Sequence, residues 1–432
     1  MLNYLYKNVC SMQQTPWYFK LWLWVLIFMF AGIIFGIFFP ILAKNTKPII
    51  DSFIHLIRIL VGPIIFFTVL SGIIGMGNLK QLGSIGLKTF IYFETISTIG
   101  LLLGLLIGHL FNPGGGLNLT ISTLDPSLIS QYTEHSQQAT GFLKILSTVI
   151  PTNPIEPFIR GNTLQILFIA IILGFILFYT TKPWQHKLIF SLHKIQNFFF
   201  KILSYIMWLS PFAAFSAMAF MIGEFGIDIL LHMLALIITM IMSCIFFILV
   251  VLGIIAKIAG FSIFKFLNYI KDEIILVFAT SSSESALGPI MNKLTKSGID
   301  DSVVGIVIPA GYSFNLDGTN IYLTLVIAFL CQAFNIHLTW QEHLIIILIL
   351  MLTSKGAAGV TGAGFIVLAG TLAAMHGKIP VVTIVILLGI DKIMSELRST
   401  TNLIGNSVAT VVIAKMEKKI NQKQFDKALY EQ

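Results

Sequence analysis

The sequence predicts an all-α polytopic membrane protein with eight transmembrane helices and two re-entrant hairpins arranged as inverted repeats. Three observations carry that expectation. The chain of 432 residues is 56% apolar and 11% charged, with a mean hydropathy of +0.90. Apolar runs of about 20 residues, the length that crosses a bilayer, recur along it. In its last third, two pairs of half-length apolar pieces flank a Ser-rich and a Gly-rich centre, and each pair precedes a full span. A formal net charge of +8 would suggest nucleic acid in a soluble domain. Here the lysines sit in short segments between spans, as the positive-inside rule requires, and no nucleic-acid partner is expected. Cys10, Cys244 and Cys331 are scattered and odd in number, so neither a disulfide framework nor a metal cluster is expected.

Residues 1–20 form a polar, cytoplasmic N-terminus, and the apolar run after them is too long for a signal-peptide core. The first span covers Leu21–Leu42, with Trp17, Tyr18, Trp22 and Trp24 at the depth of an interfacial aromatic belt. The second, Ile49–Met76, contains Gly62-Pro63, where a kink is expected. The third, Ile85–Leu110, includes Tyr92, Glu94, Thr95 and Ser97. From Phe111 to Arg160 the chain is polar, with Lys144 its only lysine, and is placed outside. The fourth span, Asn162–Thr180, leads to Lys182, Lys187 and Lys194 inside. The fifth, Phe198–Ile222, is broken at Ser210-Pro211, and the sixth covers Ile227–Ile255. Lys257, Lys265 and Lys271 return the chain to the cytoplasm and close a six-span region, residues 21–271. A lysine-rich tail, residues 416–432, also lies inside, so the number of full spans is even. Lys44 and Lys47 are exceptions, placed outside by this topology.

Residues 272–415 change character. Glu273–Leu294 holds two short apolar pieces around Ser281-Ser282-Ser283-Glu284-Ser285, and His343–Met375 holds two more around the Gly-rich stretch 354–364. A half-length piece cannot cross alone, so each pair is read as a re-entrant hairpin with its polar tip buried in protein. The spans that follow are Ser302–Phe334 and Val381–Ala414. Within the first, Asn315-Leu316-Asp317-Gly318-Thr319 predicts a local unwinding that frees backbone carbonyls for a small cation, with Asp317 as its anionic partner. Within the second, Asp391, Ser395, Arg398, Asn402 and Asn406 recur at steps of three and four and make one polar stripe, which must line a protein-walled cavity. Arg398 suits a carboxylate held by two parallel hydrogen bonds, and half-helix N-termini suit a second one. Taken singly, each feature has a plainer use. Arg398 can bridge to Asp317 or Asp391, the glycines can serve close packing, the serines can form a cytoplasmic loop, and Asn402 and Asn406 can join helices. Their occurrence together favours a site for a small molecule with two carboxylates. No nucleophile–base pair or metal-ligand spacing emerges, and no enzyme is expected.

These motifs resemble the dicarboxylate/amino acid:cation symporter family over nearly the whole chain, most densely from Thr280 to Lys415. The resemblance implies a homotrimer in the bacterial cytoplasmic (inner) membrane, both termini cytoplasmic, with a transport domain moving as an elevator against a scaffold. It implies substrate contacts from Ser282, Ser283, Thr319, Val360, Gly364, Ser395, Arg398, Ser399 and Asn402. Cation ligands are implied at Tyr92, Thr95, Gly311, Ser313, Asn315, Asp317, Ser354, Asn402 and Asn406, which makes them the candidate sodium positions. Amino-acid transporters of the family carry an aspartate at the place of Ser395. A serine there lacks the counter-ion for an ammonium and resembles the C4-dicarboxylate branch, which takes up succinate, fumarate and malate. Asn406 stands where sodium-coupled members have aspartate, and Ile96 where a hydroxyl is usual, so the coupling ion is H+ or Na+. The glutamate that carries a proton in mammalian relatives is replaced by Leu323, leaving Glu94, Glu284 or Asp317 as proton carriers. Gly288 replaces the usual proline, and Pro289 follows it. No cofactor is expected. The alternatives are an acidic amino-acid symporter, against which Ser395 counts, and an anion channel or membrane receptor, against which the paired hairpins count.

Overall fold

The computed structural model describes residues 21–75, 79–119, 151, 153–160, 163–180, 184–354, 363–375 and 378–430. In chain order the helices are α1 (Leu21–Phe38), α2 (Pro40–Lys44), α3 (Lys47–Gly75), α4 (Leu79–Phe111), α5 (Glu156–Arg160), α6 (Thr163–Thr180), α7 (Gln185–Met207), α8 (Ser210–Phe225) and α9 (Ile229–Phe246). They continue with α10 (Gly253–Ile258), α11 (Ile263–Tyr269), α12 (Lys271–Thr280), α13 (Leu287–Lys296), α14 (Asp301–Phe314), α15 (Asp317–Ala333), α16 (Trp340–Thr353), α17 (Ala363–Ala374), α18 (Asp391–Met416) and α19 (Gln422–Tyr430). A π-helical turn, Phe247–Leu252, joins α9 to α10.

Four helical stretches among the described residues are long and apolar enough to cross a membrane: Pro40–Phe67, Ser84–Phe111, Ile229–Ile258 and Asp301–Ala333. Helices α7 and α8, bent by 51° at the expected Ser210-Pro211 break, would make a fifth. Other expected spans correspond to shorter apolar helices, Leu23–Phe38 and Phe168–Leu177. Large apolar side chains such as Phe30, Ile34, Leu106 and Ile258 face outward, which suits lipid or another apolar surface.

Two boundaries differ from expectation. Helix α7 begins at Gln185, so Lys187 and Lys194 ride on a helix rather than in a loop. Its apolar face, with Leu188, Ile189 and Leu192, packs against Leu70 and Ile74 and extends the helix beyond the purely apolar run. The last span is split into a 3-10 segment, Val381–Leu387, and α18. Its run of β-branched residues, Val381 to Ile386, disfavours a long α-helix before Gly389. Helix α3 runs as one helix through Pro63. Lys44 and Lys47, the charge exceptions, pair with Glu224 at 3.0 Å and Asp51 at 2.9 Å.

Helix α15 is the centre of the fold, with all but one of its residues buried. Helix α4 reaches it through Gly100, Gly104 and Gly108: a Cβ on Gly104 would stand 2.3 Å from the Ile321 carbonyl oxygen. Helices α12 and α13 fold back on one another, and Lys293 near the end of α13 pairs with Glu273 (2.7 Å) and Asp272 (3.2 Å) in the first turn of α12. Helices α16 and α17 also fold back, with Lys378 paired to Glu342. In both regions a pair of short helices is thus joined by an ion pair at the ends away from the Ser-rich and Gly-rich stretches.

Candidate functional site

The α14–α15 break is where the site begins. Asn315 and Leu316 leave the helical region, with φ/ψ of −128°/75° and −101°/67°, so the span consists of two half-helices as the Asn-Leu-Asp-Gly motif predicts. The first N–H groups of α15 have no partner within their own helix. Asn402 on α18 supplies one: its Oδ1 accepts from Gly318 N (2.8 Å) and Thr319 N (3.3 Å), while its Nδ2 donates to Thr319 Oγ1 (3.2 Å). Asn402 therefore caps the half-helix and orients Thr319.

Beside it lies a fully buried polar cluster. Asn315 Nδ2 donates to Asp317 Oδ2 (3.0 Å) and Asn406 Oδ1 (3.1 Å). Two glycines make room for these groups. A Cβ on Gly405 would fall 1.9 Å from Asp317 Oδ2, and one on Gly311 would fall 2.3 Å from Asn406 Oδ1. Tyr92 is close enough to interact electrostatically with Asp317. Thr95 is not brought to this cluster; it is exposed and donates to Ile91 O of its own helix (2.8 Å). Ser97, fully buried, donates to Phe314 O (3.5 Å) from the same helix. Of the three proton-carrier candidates, Asp317 is buried, Glu94 half-buried and Glu284 exposed.

The stripe on α18 is buried as expected: Asp391, Ser395, Arg398, Asn402 and Asn406 are each at most 6% exposed. Among the described residues Arg398 makes no ion pair with an acid on another helix. Its Nη2 lies 3.7 Å from Asp391 Oδ1 on its own helix, and its Cζ lies 4.3 Å from the centroid of Tyr322, whose hydroxyl donates to the same Asp391 oxygen (3.3 Å). Its Nη1 has no hydrogen-bond partner among the described residues. That atom points at Gly364 on α17, where a Cβ would come within 1.9 Å. Leaving a buried donor unpaired costs about 1–3 kcal/mol.

Further unpartnered buried atoms mark the same region. They include Ser283 Oγ in the α12–α13 turn, Ser354 Oγ at the end of α16, Asn315 Oδ1 and Asn406 Nδ2. Native proteins leave few such groups, so their concentration at the α12–α13 turn, the end of α16, the helix break and α18 marks the candidate ligand site. Ser282 is half-buried and, with Asp391 and Lys392, lines a cavity of about 650 Å³ whose other walls include Phe53, Phe200 and Phe365. Ser313 lies in the last turn of α14, and Val360 falls outside the described residues.

Several residues of the site are not evident from sequence. Ser281 takes a left-handed conformation, φ 54°, and is fully buried. Its carbonyl accepts from Ser399 Oγ (2.9 Å) and its hydroxyl from Lys392 Nζ, which lies 3.8 Å from Glu396. Lys392 and Glu396 recur at a helical step beside the polar stripe, a signal that the stripe alone obscures. Asn320 is fully buried with both amide atoms unpartnered among the described residues. Cys244 and Cys331 are buried free thiols.

The family described as "Sodium:dicarboxylate symporter family" matches residues 21–416. A relative from Ralstonia nicotianae, "C4-dicarboxylate transport protein 1", is 46% identical over 416 residues, 96% of each chain. One from Burkholderia ambifaria, "C4-dicarboxylate transport protein", is 46% identical over 420 residues, 97% of each chain. "C4-dicarboxylate transport protein 4" of Bradyrhizobium diazoefficiens is 47% identical over 410 residues, covering 95% of this chain and 92% of its own. By sequence along nearly its full length, the chain belongs to the sodium:dicarboxylate symporter family.

Proposed function

We propose that this protein is a secondary active symporter that imports C4-dicarboxylates such as succinate, fumarate and malate, driven by protons or sodium. The observation that carries the reading is the buried Arg398, whose Nη1 faces Gly364 with no partner among the described residues. An arginine there can hold one carboxylate bidentately. Ser283 Oγ and Ser354 Oγ, from the two hairpins, offer hydroxyls for the remainder of the substrate. Ser395, buried one turn before Arg398, contributes no charge, which favours a dicarboxylate over an amino acid carrying an ammonium. The names of the relatives agree with this substrate class.

The Asn315–Asp317–Asn406 cluster, with Gly311 behind it, is the proposed cation site. Its oxygen donors and one carboxylate suit a small hard cation, and a proton on Asp317 is the other means of neutralising that charge. Helices α12–α13 and α16–α17 act as re-entrant gates, residues 272–415 form the moving transport unit, and residues 21–271 supply the scaffold of a homotrimer in the bacterial inner membrane. Both termini lie on the cytoplasmic side.

Ligand-dependent melting of the purified protein tests the substrate. Succinate, fumarate and malate should each raise the melting temperature, and aspartate should raise it far less. Stabilisation by aspartate alone would refute the dicarboxylate reading.

A further inference from the structure

Away from the substrate site, two histidines face each other across separate elements. His109 lies in the last turn of α4 and His343 in the first turn of α16, with ring centroids 5.3 Å apart and planes inclined at 57°. Each ring is fixed by its own helix: His109 Nδ1 donates to Leu105 O and His343 Nδ1 to Thr339 O, both at 2.9 Å. With Nδ1 carrying the proton, the lone pair of each neutral ring is on Nε2. Backbone bonding of one ring nitrogen while the other ligates is the usual arrangement at zinc.

The spacing fits one shared ion. Two imidazoles bound through nitrogen at about 2.0–2.1 Å to one tetrahedral zinc have ring centroids about 5.2 Å apart. Both rings also line a single cavity of about 400 Å³, together with Asn112, Asn335 and His337. No group of three or more His, Cys, Asp and Glu able to hold a metal occurs among the described residues, so a shared ion would have these two rings as its protein ligands and water at its other positions.

We infer that His109 and His343 form a two-histidine site for a borderline transition-metal dication, Zn2+ in the first place. Metal there ties α4 to α16, the first arm of the second hairpin. On the transport reading given above, zinc thereby restrains that arm and inhibits uptake; the binding itself does not depend on that reading.

Calorimetric titration of the purified full-length protein with ZnSO4, using MgSO4 as the control, tests the site. One zinc should bind per chain at micromolar concentration. His109→Ala and His343→Ala should each weaken it at least tenfold, while His232→Ala leaves it unchanged. Absence of zinc binding in the wild type, or binding that survives either of the first two substitutions, overturns the inference. In proteoliposomes, zinc should slow uptake by the wild type but not by His343→Ala. Binding without inhibition would sink only the restraint of the hairpin arm, and absence of zinc-free uptake would count against the transport reading instead.

Discussion

The guanidinium of Arg398 occupies the space that a side chain on Gly364 would fill: a Cβ at that position would lie 1.9 Å from Nη1. The arginine is thus aimed at α17 while Asp391 and Tyr322 hold its other side. Gly364→Ala should displace it and weaken succinate binding about tenfold or more. Arg398→Ala, removing two charge-assisted bonds of about 1.5–3 kcal/mol each, should weaken it at least ~100-fold. Equilibrium binding of labelled succinate measures both; near-normal affinity in Arg398→Ala would remove this residue from the site.

Ser395 sits one turn before Arg398 and is buried. Ser395→Asp places a carboxylate where the substrate's own charge would approach, so succinate affinity should fall by at least about tenfold while aspartate begins to compete. Competition binding decides this, and unchanged succinate affinity would show that Ser395 faces elsewhere.

Asn402 and Asn406 lie one turn apart and do different work. Asn402→Ala strips the cap from α15 and should cost roughly 1–2 kcal/mol of stability, with faster exchange of the Gly318 and Thr319 amide protons. Asn406→Asp adds a second carboxylate beside the pair formed by Asn315 and Asp317, so a cation becomes obligatory. Sodium should then stabilise this variant at concentrations at least tenfold lower than for the wild type. Equal sodium responses in a melting assay would remove Asn406 from the cation site.

Lys392 and Ser399 hold the α12–α13 turn by bonding Ser281. Lys392→Met should loosen that turn, and a cysteine introduced at Ser282 should react several-fold faster with a thiol reagent. Cys244 and Cys331 are buried and should contribute little background once Cys10 is replaced by serine. Identical labelling rates with and without Lys392 would show that the contact does not restrain the turn.

Much of this arrangement is legible in the sequence because burial of charge is so restrictive in an apolar chain. Asp391, Ser395, Arg398, Asn402 and Asn406 fall on one face of a helix by spacing alone, and Asn315 to Gly318 announce a break by composition. The partners are less legible. Tyr322 is one more aromatic in a buried helix until Arg398 lies over it, and Ser281 is one serine among several until its left-handed backbone is seen. Thr95 shows the opposite limit: it lies in the helix that brings Tyr92 near Asp317, yet bonds to its own backbone. Boundaries set by packing, such as the start of α7, require the neighbour against which the helix lies.

Uptake of labelled succinate into proteoliposomes, with sodium and proton gradients imposed separately, tests the central claim most directly. Concentrative uptake under one of the gradients, blocked by unlabelled fumarate and absent from Arg398→Ala, is the result expected of a coupled dicarboxylate symporter. Equilibration of succinate without accumulation under either gradient would contradict coupling and point to a channel.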